Sequence, residues 1–115
     1  MNKTLLHMEG FAVLVLSLYF YASNEFSWIL FFILLFTPDF SMLGYLLNNK
    51  VGAMIYNLFH TYSISILVVG CGLLVSNPTI LMIGLIWIAH IGMDRMIGYG
   101  LKYPTEFKDT HLNRV

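Results

Sequence analysis

Charged residues are scarce in this chain of 115 residues. They make up only 10% of the sequence, and hydrophobic residues make up 58%. Soluble domains carry about 25% charged residues, which cover the surface that faces water. A chain with so little polar surface cannot form a water-facing globule, because most of its side chains would have to be buried. The composition therefore predicts a protein folded within a lipid bilayer and argues against most soluble enzymes.

An excess of positive charge and a second cysteine are also absent. Six Lys and Arg residues balance six Asp and Glu residues. No basic surface is therefore expected that would hold a nucleic-acid backbone, and nucleic acid is not an expected partner. The lone Cys71 excludes an intramolecular disulfide. Dinucleotide-binding and phosphate-loop signatures are missing as well, which excludes the commonest nucleotide-dependent enzymes.

Apolar runs divide the chain into four segments, each close to the roughly 20 residues that a membrane helix needs. We predict an all-α integral membrane four-helix bundle with up-down topology, forming a single domain over residues 1–115. The predicted spans are residues 5–22, 27–48, 51–75 and 79–103, followed by a polar tail at residues 104–115. A cleavable signal peptide is the alternative for the first span, but Glu9 within its apolar run argues against that interpretation.

The distribution of positive charge predicts the orientation of the bundle. All six basic residues fall on one side of a four-span bundle, and the other side carries only Glu25. The basic residues are Lys3, Lys50, Arg95, Lys102, Lys108 and Arg114. By the positive-inside rule, both termini are expected to be cytoplasmic, N-in and C-in, in the cell membrane.

Five ionisable side chains interrupt the apolar spans. Each costs about 2.5 to 3.5 kcal/mol in a membrane helix, so each indicates a partner or a function. They are Glu9, Asp39, His60, His90 and Asp94. Counted at about 1.5 Å of rise per residue, all five lie roughly 7 to 16 Å from the cytoplasmic end of their spans. Their common depth predicts one shared site to which all four spans contribute.

Local spacing supports this shared site. His90 and Asp94 are four residues apart, and Asn57 and His60 are three apart, so each pair lies on one face of its helix. Pro38 cannot donate a backbone hydrogen bond, and it is expected to loosen the second span beside its carboxylate. The predicted site thus lies where helix regularity is weakest.

Carboxylates and imidazoles that project into a four-helix bundle are the ingredients of a metal site. We predict that four of the five residues hold a divalent metal ion, Zn, Mn or Fe. The predicted ligands are Asp39, His60, His90 and Asp94. Glu9 is expected to act as a further ligand or as a general base.

Two other interpretations of the same residues stay open. One is a hydrogen-bonded network that only fixes helix packing, in which Asp39 or Asp94 pairs with Arg95. The other is a haem group held between His60 and His90, which would leave the buried acids unexplained.

Further polar residues are expected to surround the site. They are Tyr45, Asn57, Arg95, Lys102 and His111. Arg95 and Lys102 are candidates to hold a phosphate or carboxylate group. His111 lies in the polar tail, where it either turns toward the site or stays solvated. The tail is expected to form a short surface helix capped by Thr105.

A resemblance to a known family rests on three strings: PDFSMLGYLLNNKVGAMIYNLFH, AHIGMDRMIGYGLKY and FKDTHL. With these, the chain resembles an uncharacterised bacterial membrane-protein family, domain of unknown function number 4260. The resemblance extends from about Glu9 to Leu112 and implies a compact four-span protein of about this length. It implies no activity, since none is established for that family.

We expect a membrane-embedded, metal-dependent enzyme that is hydrolase-like or lipid-directed. Its expected partners are the lipid bilayer and a lipid-like or small amphipathic substrate. One alternative is a small proton-coupled transporter that uses Glu9, and another is a structural or accessory subunit whose polar cluster orders the bundle. Gly70, Cys71 and Gly72 suggest either a close helix contact or the seam of a homo-oligomer.

Overall fold

The protein is described by a computed structural model that covers all 115 residues and is all-helical. Its elements follow one another without a strand. They are α1 (Asn2–Ser23), α2 (Trp28–Leu34), a 3₁₀ helix (Thr37–Leu46), α3 (Asn49–Phe59), α4 (Tyr62–Leu74), α5 (Pro78–Ile97) and α6 (His111–Arg114).

Four helical segments are long and apolar enough to cross a membrane. They are Asn2–Ser23, Trp28–Leu46, Asn49–Leu74 and Pro78–Ile97. Large apolar side chains such as Phe32, Leu67 and Leu74 stay exposed along these segments. Such exposure suits a surface that contacts lipid, because water would disfavour it. The prediction of four membrane-length helices is confirmed.

The central helix is α5, which packs along both α1 and α4. Glycines allow the close approach: a Cβ atom on Gly10 would lie 2.5 Å from the Arg95 Cβ, and one on Gly84 would lie 2.7 Å from the Val69 side chain. Small residues let helix backbones approach closely in a bilayer, where van der Waals packing drives association. As a result, the middle and end of α5 are buried among the other helices.

The second segment changes from α-helix to 3₁₀ helix close to Pro38. α2 ends at Leu34, and the 3₁₀ helix begins at Thr37 with the proline in its first turn. Because proline has no N–H to continue the α-helical ladder, the Leu34 carbonyl accepts a hydrogen bond from the Thr37 hydroxyl at 2.7 Å. The expected loosening beside Asp39 is confirmed, and the tighter winding turns that carboxylate toward α5, where it contacts His90.

The third segment is interrupted at His60. The sequence did not predict this break. α3 ends at Phe59, and Thr61 is extended before α4 begins. A helix break at membrane depth frees carbonyl groups that need new partners. Here the Trp87 indole N–H donates to the Phe59 carbonyl at 2.7 Å, and the Arg95 guanidinium donates to the His60 carbonyl at 2.8 Å. Two side chains of α5 therefore stabilise the break.

The fourth segment ends at Ile97, earlier than the predicted residue 103. Gly98 adopts the left-handed conformation, with φ 107°, and its N–H donates to the Asp94 carbonyl at 3.0 Å. Glycine is favoured at this helix-ending position because it has no Cβ to clash. Residues 98–103 therefore leave the helix, and Lys102 lies in the tail and not in a membrane span.

The tail folds back as an ordered segment. Lys102 and Thr110 form an isolated antiparallel bridge, and Leu112 is fully buried. α6 begins after Thr110, whose hydroxyl caps it. The expected cap at Thr105 is wrong, because that hydroxyl donates to the Asp109 carboxylate instead.

Candidate metal centre

Two aspartates and two histidines from separate helical elements meet at one point. Asp39 comes from the 3₁₀ helix, His60 from the end of α3, and His90 and Asp94 from α5. One potential ligand atom on each of the four residues lies within 4.8 Å of the others. We call these four residues the Asp/His cluster. The structure thus brings together four of the five ionisable residues that the sequence placed at one depth.

Distances within the Asp/His cluster are short. His60 Nε2 lies 3.2 Å from Asp39 Oδ1 and 3.4 Å from Asp94 Oδ2. His90 Nε2 lies 3.1 Å and 3.2 Å from the same two oxygens, and 3.1 Å from His60 Nε2. A tetrahedral zinc ion with bonds of about 2.0 to 2.1 Å separates its ligand atoms by about 3.3 to 3.4 Å. The five distances that involve a histidine are therefore close to the separations that a small metal ion requires.

The ring of His60 is oriented from its far side. Its Nδ1 lies 2.9 Å from the Tyr56 carbonyl, one helical turn earlier, and the Tyr56 ring stacks on the imidazole with centroids 3.7 Å apart. Because a carbonyl only accepts, Nδ1 donates, and the neutral ring presents the lone pair of Nε2 to the cluster. Metal-binding histidines are commonly oriented in this way by a backbone carbonyl.

His90 is held by packing alone on its far side. The Phe36 ring meets the imidazole edge-on, with centroids 6.1 Å apart. The residue is fully buried, and its Nδ1 has no hydrogen-bond partner within the protein. All polar contacts of the His90 side chain are therefore made inside the Asp/His cluster.

Three hydrogen-bond acceptors, His60 Nε2 and the carboxylate oxygens of Asp39 and Asp94, face one another in this cluster, and a neutral His90 has at most one Nε2–H to share among them. Lone pairs that converge at these distances repel unless positive charge lies between them. A metal ion bound by all four groups would supply that charge, and so would protons that convert the imidazoles to imidazolium. His60 and His90 have no exposed side-chain surface, whereas the Asp39 side chain is 30% exposed. The cluster is thus enclosed by protein but reachable from one side.

A haem group between the two histidines does not fit this geometry. The carboxylates of Asp39 and Asp94 lie within 3.4 Å of both imidazole nitrogens. They occupy the space in which a porphyrin held by His60 and His90 would have to lie. The bis-histidine haem interpretation is therefore wrong.

Glu9 does not join the Asp/His cluster. It lies on an exposed face of α1, and no residue of α1 belongs to the group that could bind a metal. α1 meets α5 through Gly10, so the adjacent Glu9 is turned toward a different side of the helix. Counting the helical rise estimated how deep Glu9 lies along α1, but it carried no information about the side of the helix that the residue faces. The geometry gives no support to Glu9 as a ligand or general base.

Arg95 and Asn57 organise the backbone around the cluster. Arg95 forms no ion pair with an aspartate, contrary to the packing-network interpretation; it donates to the carbonyls of His60 at 2.8 Å and Tyr99 at 3.1 Å. The Asn57 side chain accepts from the Lys102 N–H at 2.6 Å and donates to the Lys102 carbonyl at 2.8 Å. Asn57 thereby ties the tail to α3.

The other two predicted polar residues, Tyr45 and His111, contact the tail and not the cluster. The Tyr45 ring packs on Phe107 with centroids 5.2 Å apart, and its buried hydroxyl has no partner within the protein. His111 Nδ1 accepts a hydrogen bond from the Leu101 N–H at 2.8 Å. Burial and the charge of Arg95 lower the pKa of His111. His111 is therefore a partly buried residue that holds the tail together. It neither turns toward the cluster nor stays fully solvated, which were the two expected positions.

A cavity of about 280 Å³ opens beside the Asp/His cluster. Its walls are Asp39, Met42, Tyr56, Asp94, Tyr99, Lys102 and Phe107. The Lys102 ammonium is buried there and donates to the Phe107 carbonyl at 2.7 Å, and burial lowers its pKa. The cavity is thus bounded both by the tail and by the two carboxylates of the cluster.

Sequence reasoning missed two aromatic residues that position the histidines. Tyr56 had a usable signal, because it precedes His60 by four residues and so lies on the same helical face. Phe36 had none, since its contact with His90 depends on how the chain turns before Pro38.

Comparison with known proteins identifies the family but no activity. No curated protein and no solved structure matches this chain. One family model, described as Domain of unknown function (DUF4260), matches residues 3–115. Because the match covers nearly the whole chain, the protein belongs to the DUF4260 family.

Proposed function

We propose that this protein is a membrane-embedded, metal-dependent enzyme with hydrolase-like chemistry directed at a lipid-like substrate. The observation that carries the proposal is the convergence of four ligand atoms within 4.8 Å. Ionisable groups are costly in a membrane helix, so four of them at one point indicate a function. Imidazole and carboxylate ligands suit Zn, Mn or Fe.

The four residues have unequal surroundings, which suggests unequal roles. His60, His90 and Asp94 are buried, so they are the better candidates for permanent ligands. Catalytic zinc sites commonly use three protein ligands and leave a further position open. Asp39 is the most exposed member and lines the cavity. We assign it the role of a fourth, exchangeable ligand that can also accept a proton.

The proposed reaction is the hydrolysis of an ester. A bound metal ion supplies the Lewis acidity that activates water and polarises the ester. The water oxygen forms a bond to the carbonyl carbon or phosphorus, and its proton passes to Asp39. The bond to the alcohol oxygen then breaks, and the alcohol leaves with that proton. Enclosure of the cluster by buried side chains limits competing water.

The orientation of the bundle is part of the proposal. An up-down arrangement with both termini cytoplasmic in the cell membrane would place the basic residues on the inner side. The tail and the cavity would then face the cytoplasmic headgroup region, where a lipid-like substrate is available. Labelling of a cysteine introduced at Glu106 in intact and in permeabilised cells, in a Cys71→Ser background, tests this: a cytoplasmic tail reacts only after permeabilisation.

Elemental analysis of the detergent-purified protein is the decisive experiment. We expect about one equivalent of Zn, Mn or Fe in the wild type and its loss in His60→Ala and in His90→Gln. His7→Ala is the matched control, because His7 bonds to the Met96 carbonyl outside the cluster and should keep the metal. Circular dichroism and size-exclusion chromatography establish that each variant is folded.

Two outcomes would overturn the metal centre. One is a wild-type protein without metal after growth in metal-supplemented medium, which would favour a proton-bearing packing network or a proton path. The other is a folded His60→Ala protein with unchanged metal content.

Turnover is tested with fluorogenic acyl and phosphate esters of umbelliferone in mixed micelles. Asp39→Asn keeps an oxygen that can face the ion but cannot accept the proton, so we expect retained metal and a loss of about 100-fold or more in kcat. Asp94→Asn should reduce metal content itself. Equal turnover in Asp39→Asn and the wild type would exclude the assigned role of Asp39.

The transporter alternative rests on Glu9, which lies outside the cluster and faces the exterior of the chain. No other contact in the structure favours it over the metal centre.

A further inference from the structure

A buried cation without an ion-pair partner lies beside the Asp/His cluster. The Lys102 ammonium lies 3.7 Å from the centroid of the Phe107 ring and 4.6 Å from that of Tyr56. Its hydrogen bond goes to the neutral Phe107 carbonyl, and no carboxylate lies within 4.0 Å. An ammonium group has three donors, and burying it without an opposite charge is costly. The residue is therefore suited to an anion that enters the cavity.

The charge balance of the site points the same way. A divalent ion in the cluster would cancel the charges of Asp39 and Asp94. The positive charges of Lys102 and Arg95 would then have no counterpart, because Arg95 donates only to backbone carbonyls. A metal-loaded cavity is thus positive overall and attracts anions.

A separate apolar groove of about 290 Å³ is lined by residues that neighbour the cluster residues in sequence. Its walls are Leu34, Thr37, Pro38, Phe59, Ile83, Ile86 and Trp87. Pro38 and Phe59 directly precede the cluster residues Asp39 and His60, and Trp87 lies about one turn before His90. Ile83 and Phe59 keep 44% and 42% of their surface exposed. The groove therefore lies close to the cluster and opens on the outer, apolar surface of the bundle.

We propose, resting on the metal centre above, that the ligand of this site is an amphiphile with a phosphate headgroup. The phosphate enters the cavity and is held by Lys102, and a hydrocarbon chain lies in the groove against Trp87. Lys102 and Tyr99 follow the end of α5, where in the proposed orientation the bilayer core would give way to headgroups. Phosphate is the anionic group that a membrane presents at that level, so the occupant is a membrane lipid.

Trp87 provides a direct readout of the chain in the groove. The protein has two tryptophans, so Trp28→Phe leaves Trp87 as the sole indole reporter. The metal-loaded Trp28→Phe protein is placed in phosphatidylcholine nanodiscs that contain a minor fraction of phosphatidic acid with brominated chains. Bromine quenches tryptophan fluorescence on contact. Nanodiscs with the same fraction of brominated phosphatidylcholine give the quenching expected from unselective lipid contact.

We expect stronger quenching by brominated phosphatidic acid than by brominated phosphatidylcholine. Adding Lys102→Gln should weaken the apparent affinity by about tenfold or more while metal content stays unchanged. Lys108→Gln is the matched control, because it removes the same charge from an exposed position in the same tail. It should keep the preference.

Three results would overturn the proposal. The first is equal quenching by the two lipids in a protein shown to contain metal. The second is an equal loss of preference in Lys102→Gln and Lys108→Gln. The third is displacement by millimolar inorganic phosphate, which would assign the cavity to a free phosphate in place of a lipid. Absence of metal in the same samples would instead refute the proposed metal centre, so the two failures are distinguishable.

Discussion

The two halves of α5 pack against different kinds of neighbours. The first half meets an apolar cluster in which Leu85 and Ala89 contact Tyr21 and Phe31, and those aromatic rings lie edge to face. The Tyr21 hydroxyl donates to the Ser27 carbonyl, so this region leaves no polar group of its tyrosine unpaired. The side chains of the protein itself therefore complete the packing and the tyrosine hydrogen bond of the apolar half.

The second half of α5 contributes polar groups that lack a hydrogen-bond partner or an opposite charge within the chain. His90 and Asp94 belong to the group of four potential metal ligands, His90 Nδ1 has no partner, and the Lys102 ammonium nearby has no ion pair. Burial of such groups without partners costs stability. One half of α5 thus stabilises the bundle by apolar packing, and the other half contains the groups to which we assign a ligand.

Phe31→Ala should produce the largest effect and confine it to the apolar half. Phe31 is buried among aromatic rings, and its truncation leaves a cavity, so we expect a loss of about 3 kcal/mol in the free energy of unfolding in detergent. Phe32→Ala is the matched control, because Phe32 is 67% exposed. Metal content should stay unchanged in both variants. Loss of metal in Phe31→Ala would show that the two halves are not independent.

Removal of metal should affect only the polar half. A chelator should lower the stability of the wild type by about 2.7 kcal/mol if the ion was present at about 100 times its Kd, because the ion binds only the folded chain. Thermal unfolding with and without chelator measures this. Phe31→Ala should respond by the same amount, and His60→Ala should not respond. A wild type that is insensitive to chelator would remove the stabilising role of the metal.

The parts of the site that the sequence predicted are those set by local spacing. His90 and Asp94 share a face because they are one turn apart, and Pro38 loosens its helix whatever surrounds it. Counting residues along an apolar run also placed His60 at nearly the same height as Asp39 and His90, which it contacts. These predictions depend only on local sequence and not on the neighbouring helices, so they agree with the folded structure.

The features that the sequence did not predict depend on contacts across the bundle. The break after His60 contains no proline or glycine, and it persists because Trp87 and Arg95 bind the freed carbonyls. The direction of Glu9 depends on which side of α1 meets α5. Gly98 carried a usable signal for the end of α5, but the predicted span extended past it to residue 103.

Gly10→Ala should produce a smaller effect at the polar half of α5. A Cβ there would lie 2.6 Å from the Met96 nitrogen and 2.8 Å from the Gly92 oxygen, and backbone atoms cannot give way. We expect a loss of about 1 to 3 kcal/mol in stability as α1 is displaced from α5. Gly70→Ala is the control, because nothing lies within 4 Å of its Cβ position. Equal stability of the two variants would refute the close α1–α5 contact.

The smallest expected effect concerns the pH dependence of the tail beside the polar half. Burial and the charge of Arg95 lower the pKa of His111 from its ordinary 6.5, and its Nδ1 must be unprotonated to accept from Leu101. The neutral form is favoured in the folded protein. The stabilisation is therefore present above pH 6.5 and is lost as the pH falls through the lowered pKa.

Hydrogen exchange of the Leu101 and His111 amides measures this effect. We expect faster exchange in acid, corresponding to about 1 kcal/mol for one hydrogen bond, and a flat profile in His111→Gln, whose side-chain oxygen accepts without titrating. The nearby ion pair stays silent in this range, because Arg114 and Thr105 lower the pKa of Asp109 to about 2. A pH dependence that persists in His111→Gln would assign the change to another group, and the tail would then be docked independently of His111.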